Sequence, residues 1–136
     1  MKIDGKTVID TNILIYFFDT NSIFHQFARN IIDNNYQDIC IVHKSISEFV
    51  SVLSKLGRYD VIENELQNII NSFEILYPDN TSLELFTELI RQHKPRGNRV
   101  YDFEIVSVML SHNITKIVTI NKDDFEIIPD IEVISS

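Results

Sequence analysis

Residues 8–12 read Val8-Ile9-Asp10-Thr11-Asn12, an apolar pair followed at once by three polar side chains. The pattern predicts a short buried strand over residues 7–10 and a helical turn or two over residues 12–18. Asp, Thr and Asn are all good N-cap residues, so Asp10 either caps this helix or binds a cation. One helix needs one cap, and the surplus of polar groups favours a functional site at the end of the strand.

The rest of the chain alternates short apolar runs with segments of helical periodicity. Residues 39–42 are wholly apolar, as expected of a parallel strand that is buried on both faces. Such alternation predicts an α/β fold in which helices cover both faces of a parallel sheet. We predict further strands at residues 74–77, 117–119 and 131–134, and helices near residues 24–32, 45–56, 61–73, 83–90 and 102–112.

Length and composition limit the class of protein. The 136 residues match one domain, 1–136, and 44% hydrophobic content is enough for a packed core. The single cysteine, Cys40, lies in an apolar run and predicts a buried thiol in a reducing compartment. We recognise no signal peptide and no run of roughly 18 apolar residues, so we expect a cytoplasmic protein without a membrane partner.

The charge distribution is uneven. A net charge of −8 argues against a plain nucleic-acid-binding module, but less against a metal enzyme, because bound cations cancel part of an acidic site. Residues 91–99, predicted to form a loop before Asp102, hold four of the twelve Lys and Arg residues and no acid. Lys94, Arg96 and Arg99 are therefore candidate phosphate contacts, with a solvated loop as the alternative.

Two further carboxylates stand at predicted helix starts. Ser45 and Glu48 have the spacing of a capping box, and Glu48 lies well off the apolar face, so it either caps the helix or is solvated. Asp102 falls in line with the inward face of its helix. Because an unpaired buried charge is costly, Asp102 must cap the helix or bind a positive group.

The last polar segment follows the strand that ends at Thr119, where Asn121, Asp123 and Asp124 come within five residues. Acidic turns after strands are common, but one of these side chains could complete a metal site directly or through water. Mg²⁺ prefers carboxylate oxygens and water, and it is usually held by one or two carboxylates plus substrate phosphates. The combined pattern favours metal-dependent phosphodiester chemistry.

Taken in order, these segments resemble the motifs of the PIN-domain nucleases, and most closely those of the VapC-type toxins of bacterial toxin–antitoxin pairs. They are Val-Ile-Asp-Thr-Asn from residue 8, Ser-Ile-Ser-Glu-Phe-Val from 45, Arg-Gly-Asn-Arg-Val-Tyr-Asp-Phe from 96 and Ile-Val-Thr-Ile-Asn-Lys-Asp-Asp-Phe from 117. The resemblance covers essentially the whole chain. It implies a three-layer α/β/α fold with a mostly parallel sheet and a metal-dependent ribonuclease activity.

The resemblance also implies a site. Asp10, Glu48 and Asp102 would be the main acids around one or two Mg²⁺ or Mn²⁺ ions. A fourth acid of the family falls here on Asn121, which is neutral, so either three acids suffice or Asp123 or Asp124 contributes.

Supporting residues and partners follow from the same resemblance. Thr11 and Asn12 would line the site and orient the first carboxylate, and Thr119 would help to place a water on the metal. The implied partners are an RNA substrate, a second copy of the chain in a homodimer, and a cognate antitoxin. The antitoxin would block the acidic cleft, often with an inserted basic side chain.

Three other interpretations stay open. A phosphatase of the HAD type needs a second Asp two residues after the first, and Asn12 disfavours it. Asn121, which is neutral where the family has a fourth acid, leaves open a non-catalytic PIN-like scaffold that binds RNA or protein. A PIN nuclease of RNA processing or DNA metabolism, rather than a toxin, fits the same acids, because the chemistry acts on the phosphodiester alone.

Overall fold

The computed structural model describes residues 1–136, and five parallel strands form its central sheet. The strand order is β3-β2-β1-β4-β5. The predicted α/β architecture with helices on both faces is confirmed. In chain order the elements are β1 (Thr7–Ile9), α1 (Thr11–Phe18), α2 (His25–Asn35), β2 (Ile39–Val42), α3 (His43–Lys55), α4 (Tyr59–Ser72), β3 (Glu74–Leu76), α5 (Asn80–His93), α6 (Arg99–Ser111), β4 (Lys116–Val118), α7 (Lys122–Glu126) and β5 (Glu132–Ile134), with a 3₁₀ turn at Tyr36–Asp38.

Both faces of the sheet are apolar, because side chains along a strand alternate between two cores. Val8 and Cys40 point into the core that is completed by α5, α6 and α7, while Ile9 and Ile41 point into the core completed by α1 to α4. The Cys40 thiol is buried, and burial raises its pKa to about 11. None of the helices is long and apolar enough to cross a membrane.

The structure corrects the predicted extent of the basic loop. The Asp79 side chain accepts a hydrogen bond from the Ser82 amide (2.7 Å) in a capping box, and α5 therefore begins earlier than the apolar spacing predicted. It ends where Lys94 adopts a left-handed conformation, at φ 47°. Arg91 lies in the last turn of α5 and Arg99 begins α6, so only residues 94–98 form a loop. Helix α7 was not predicted.

The strand order reverses beside β1. The chain passes from β1 to β2 on one side of the sheet, and β4 and β5 are added later on the other side. The Asp10 amide donates to the Val118 carbonyl (2.9 Å), so the carboxyl ends of β1 and β4 are joined. In open α/β sheets, ligands bind beyond the strands at such a reversal point.

Candidate active site

Asp10 lies between β1 and α1 and is only 6% exposed. Its Oδ1 atom accepts a hydrogen bond from the Thr11 amide (2.8 Å), which makes it the N-cap of α1. Its Oδ2 atom accepts from the Thr119 hydroxyl (2.8 Å). The Asp10 pKa is raised to about 6, chiefly by burial and also by the charges of Glu48 and Asp124, although both hydrogen bonds act to lower it. Capping therefore does not exclude a functional role, because one side chain serves the cap and faces other acids.

The Thr119 hydroxyl joins the start of α1 to the end of β4. Besides donating to Asp10, its oxygen accepts hydrogen bonds from the Asn121 amide (3.0 Å) and the Asn12 side chain (3.3 Å). The Asn12 side-chain oxygen in turn accepts from the Ile120 amide (3.4 Å). This buried network fixes the orientation of the Asp10 carboxylate, with Asn12 acting through Thr119 rather than directly.

Glu48 reaches toward α1 rather than toward the start of its own helix. Helix α3 begins at His43, and the buried Ser45 hydroxyl has no hydrogen-bond partner, so the capping-box interpretation is wrong. The Glu48 carboxylate instead accepts a hydrogen bond from the Thr11 hydroxyl (3.3 Å). Burial raises the Glu48 pKa, and the nearby Lys44 charge acts against that rise.

Asp102 lies in the first turn of α6, with 21% of its side chain exposed. The N-cap of α6 is Asn98, so Asp102 does not cap the helix. The Asp102 pKa is raised to about 7, chiefly by burial and also by the charges of Asp10, Asp124 and Glu48, while the Arg99 charge acts to lower it. These shifts show that Asp102 shares one electrostatic environment with Asp10.

The final segment is divided between cleft and solvent. Asp124 faces the cleft, and its carboxylate lies 3.8 Å from the Arg99 Nε atom. Asn121 and Asp123 are exposed, and their side chains make no hydrogen bond or ion pair with the site acids. Of the three residues that could complete the site, the structure brings Asp124 to it by its side chain and Asn121 by its backbone amide.

An open cleft of about 630 Å³ contains Glu48, Asp102 and Asp124. Four cationic side chains line the same cleft: Lys44, Lys55, Arg96 and Arg99. Lys94 is exposed and does not line it, so one of the three predicted phosphate contacts lies elsewhere. Lys44 and Lys55 were not predictable from the sequence, because only the packing of α3 brings them beside α6. The Lys44 ammonium lies 4.0 Å from the centre of the Tyr101 ring.

The chemistry of the donor atoms fits a hard cation. No group of three or more His, Cys, Asp or Glu side chains is close enough to hold a metal ion. Mg²⁺ needs fewer, because it binds one or two carboxylates and completes its shell with water and phosphate oxygens. The charge of Asp10 raises the Asp102 pKa, so a cation bound between them would favour the ionised form of both carboxylates. Asp10 and Asp102, with Glu48, are thus suited to such an ion.

Several solved structures share this fold. VapBC2 from Rickettsia felis, bound to a promoter DNA fragment, is 22% identical over 96% of this chain and 98% of that chain, with a TM-score of 0.73. VapBC-1 from nontypeable Haemophilus influenzae is 18% identical over 95% and 96%, with a TM-score of 0.75. VapC20 from Mycobacterium tuberculosis, a toxin that cleaves the sarcin–ricin loop, is 12% identical over 82% and 87%, with a TM-score of 0.70. At these identities the likeness establishes the fold.

Sequence comparison gives the family. No curated protein matches the chain significantly. The family model of the PIN domain matches residues 7–130, a range that contains β1, α3, α6 and α7 and with them every side chain of the site described above. The chain therefore belongs to the PIN domain family.

Proposed function

We propose that the chain is a Mg²⁺- or Mn²⁺-dependent endoribonuclease and the toxin of a toxin–antitoxin pair, acting in the cytoplasm. The placement of Asp10, Glu48 and Asp102 near the end of β1, where the charges of Asp10 and Glu48 both raise the Asp102 pKa, carries this proposal. The cleft beside them combines acids with cations that can hold a phosphate backbone. Family membership supports a nuclease, and the likeness to VapC20, which cleaves RNA, supports RNA as the substrate.

In this mechanism the chain positions the ion and the phosphodiester. Asp10, held by the Thr11 amide and the Thr119 hydroxyl, would bind the ion together with Asp102. When bound, the ion supplies Lewis acidity toward the phosphate and lowers the pKa of water. Glu48 is half-buried with a raised pKa, and it would accept the proton of the attacking water.

Metal-dependent cleavage of labelled total RNA tests this proposal. We expect cleavage with Mg²⁺ or Mn²⁺ and none with EDTA. A folded protein that binds metal and RNA but never cleaves would indicate a non-catalytic PIN-like scaffold. Cleavage of DNA but not RNA would indicate a nuclease of DNA metabolism instead.

The antitoxin belongs to the same proposal, since the solved structures include VapBC toxin–antitoxin complexes. The acidic cleft suits an inserted basic side chain. An adjoining apolar groove of about 410 Å³ between α1, α3 and α4 shares Val52 with the cleft and offers room for apolar side chains of the same partner.

The homodimer implied by the resemblance is also proposed, and light scattering tests it. Unimpaired growth of a bacterial host that expresses the chain alone would contradict the toxin assignment.

We predict that Thr119→Val lowers kcat/KM by about 10- to 100-fold, as loss of a group that orients a metal ligand does elsewhere. The valine keeps the volume but removes the hydroxyl that donates to Asp10 and accepts from the Asn121 amide. Thr7→Val is the matched control, because Thr7 is equally buried and bonds only to the Gly5 carbonyl. Equal losses in the two variants would contradict an orienting role. Initial rates with labelled RNA measure the effect.

We predict that Lys44→Ala and Arg96→Ala raise KM for RNA with little change in kcat. Each removes a cation from the cleft and should reduce the slope of log affinity against log salt by about one. Lys94→Ala is the control, because Lys94 lies outside the cleft but belongs to the same loop as Arg96. If Lys94→Ala raised KM as much as Arg96→Ala, the RNA backbone would not be confined to the cleft that Arg96 lines. Binding isotherms at several salt concentrations decide this.

A further inference from the structure

Arg99 holds a distinctive position among the basic residues of the cleft. Its ion pairs with Asp102 and Asp124 are the only ones formed by any of the site carboxylates. We infer that Arg99 is a built-in cation of the active site, and that the site consequently binds one divalent ion rather than two. This inference rests on the proposed function and specifies its metal requirement.

The guanidinium is anchored independently of the acids. Its Nη2 atom donates a hydrogen bond to the backbone carbonyl of Asp124 (2.8 Å). A backbone carbonyl does not titrate. This hydrogen bond is therefore available whatever the protonation state of the neighbouring carboxylates. Because an arginine stays protonated in proteins, its charge remains next to Asp102 under all ordinary conditions.

The contact with Asp102 is electrostatic rather than a directed hydrogen bond. The Arg99 Nε atom lies 3.3 Å from Asp102 Oδ2, yet it is enclosed and has no hydrogen-bond partner of suitable geometry. Asp102 Oδ1 is not part of the pair. The arginine thus offsets part of the charge of Asp102 while leaving that carboxylate able to bind an ion from its other side.

Charge balance then limits the number of ions. Asp10, Glu48, Asp102 and Asp124, when ionised, carry four negative charges, and the Arg99 guanidinium and the Lys44 ammonium near Glu48 offset two of them. One divalent ion then neutralises the cluster, whereas two would leave an excess of positive charge. Two ions in such sites lie roughly 3.5–4 Å apart and share carboxylates. Here the guanidinium covers the Asp102–Asp124 side, and Asn121 adds no further charge.

The number of Mn²⁺ ions bound per chain tests the inference. We would measure it by isothermal titration and by electron paramagnetic resonance for the full chain, Arg99→Gln and Arg99→Lys. Glutamine removes the charge and places its amide nitrogen where arginine has Nε, so it keeps a polar group beside Asp102 but loses the hydrogen bond to the Asp124 carbonyl; thermal melting confirms that the variant is folded. Arg96→Gln is the matched control, because it removes the same charge from the same cleft without breaking an ion pair with a site acid.

We expect one ion in the wild type, Arg99→Lys and Arg96→Gln, and a second ion in Arg99→Gln. Two ions in the wild type, or one ion of unchanged affinity in Arg99→Gln, would overturn the role of Arg99 and leave the nuclease proposal standing. A wild type that binds no Mn²⁺ would overturn both. The two failures are therefore distinguishable without any measurement of RNA cleavage.

Discussion

Replacing Asp10 with asparagine is expected to lower kcat/KM for RNA cleavage by on the order of 10³-fold, the scale seen when one charge-stabilising group is removed from a hydrolase site. The amide cannot supply the negative charge that faces Asp102 and Glu48 across the site. The fold should survive, because asparagine is as good an N-cap as aspartate and its oxygen can still accept from the Thr11 amide. Initial rates at saturating Mn²⁺, with circular dichroism melting as the check on folding, measure the effect.

Asp123→Asn is the control for this substitution, since Asp123 is an exposed acid of α7 that contacts none of the site carboxylates. It should cleave RNA at the wild-type rate and arrest the growth of a bacterial host as the wild type does. Asp10→Asn should relieve that arrest. An Asp10→Asn variant that kept a tenth of the activity or more would show that Asp10 is not an essential metal ligand. Loss of activity in Asp123→Asn would indicate that Asp123 serves as the fourth acid of the site.

The metal-free protein is expected to lose stability as pH rises from about 4 to 8. The folded-state pKa values of Asp10 and Asp102 are raised to about 6 and about 7, above the value of 3.8 that each has in an unfolded chain. The folded state therefore holds more protons in this range, and its stabilisation is complete below pH 4 and lost as pH passes the raised values. The unfolding midpoint measured in EDTA across this range reports the loss.

Asp102→Asn isolates this effect, because the amide cannot ionise. We expect the free energy of unfolding of the variant to exceed that of the wild type by on the order of 3 kcal/mol at pH 8, or roughly 10 °C in Tm. Near pH 4 the two proteins should be equally stable. Asp123→Asn serves as the control for simple loss of charge and should follow the wild type. A pH-independent difference between Asp102→Asn and wild type would contradict the electrostatic origin. Saturating Mn²⁺ should reduce the wild type's deficit, because an ion bound only by the folded state stabilises it.

Sheet architecture was accessible from the sequence because buried parallel strands have a simple signature. The run Ile39–Val42 has no polar residue, and the structure gives β2 the same bounds. The ends of helices and strands were harder to predict, because they depend on local hydrogen bonds rather than on periodicity. The Asp79–Ser82 capping box lengthens α5 at its start, and the left-handed Lys94 sets its end. Asp123 and Asp124 suggested a turn, yet they lie in the first turn of α7.

Asp10 and Asp102 could be proposed as site acids from the sequence because one follows a strand and the other lies in the first turn of a helix, whereas Glu48 was proposed only through the family resemblance. Their partners were not predictable in the same way. The contact of Glu48 with Thr11 requires α3 to pack beside α1, and the lysines of the cleft come from the same packing. Helical periodicity placed Glu48 away from the core, which is correct, but it could not show that a cleft lies on that side.

The hydrogen bond between Asp10 and Thr119 joins residues 109 positions apart. During synthesis on the ribosome, β1 therefore waits with one edge open until β4 emerges and pairs with it. A nascent chain or a product of premature termination before β4 would carry Asp10, Glu48 and Asp102 and still be unable to hold them together. If the chain acts as proposed, cleavage would begin only after β4 has been translated, and copies that end before β4 would be inactive.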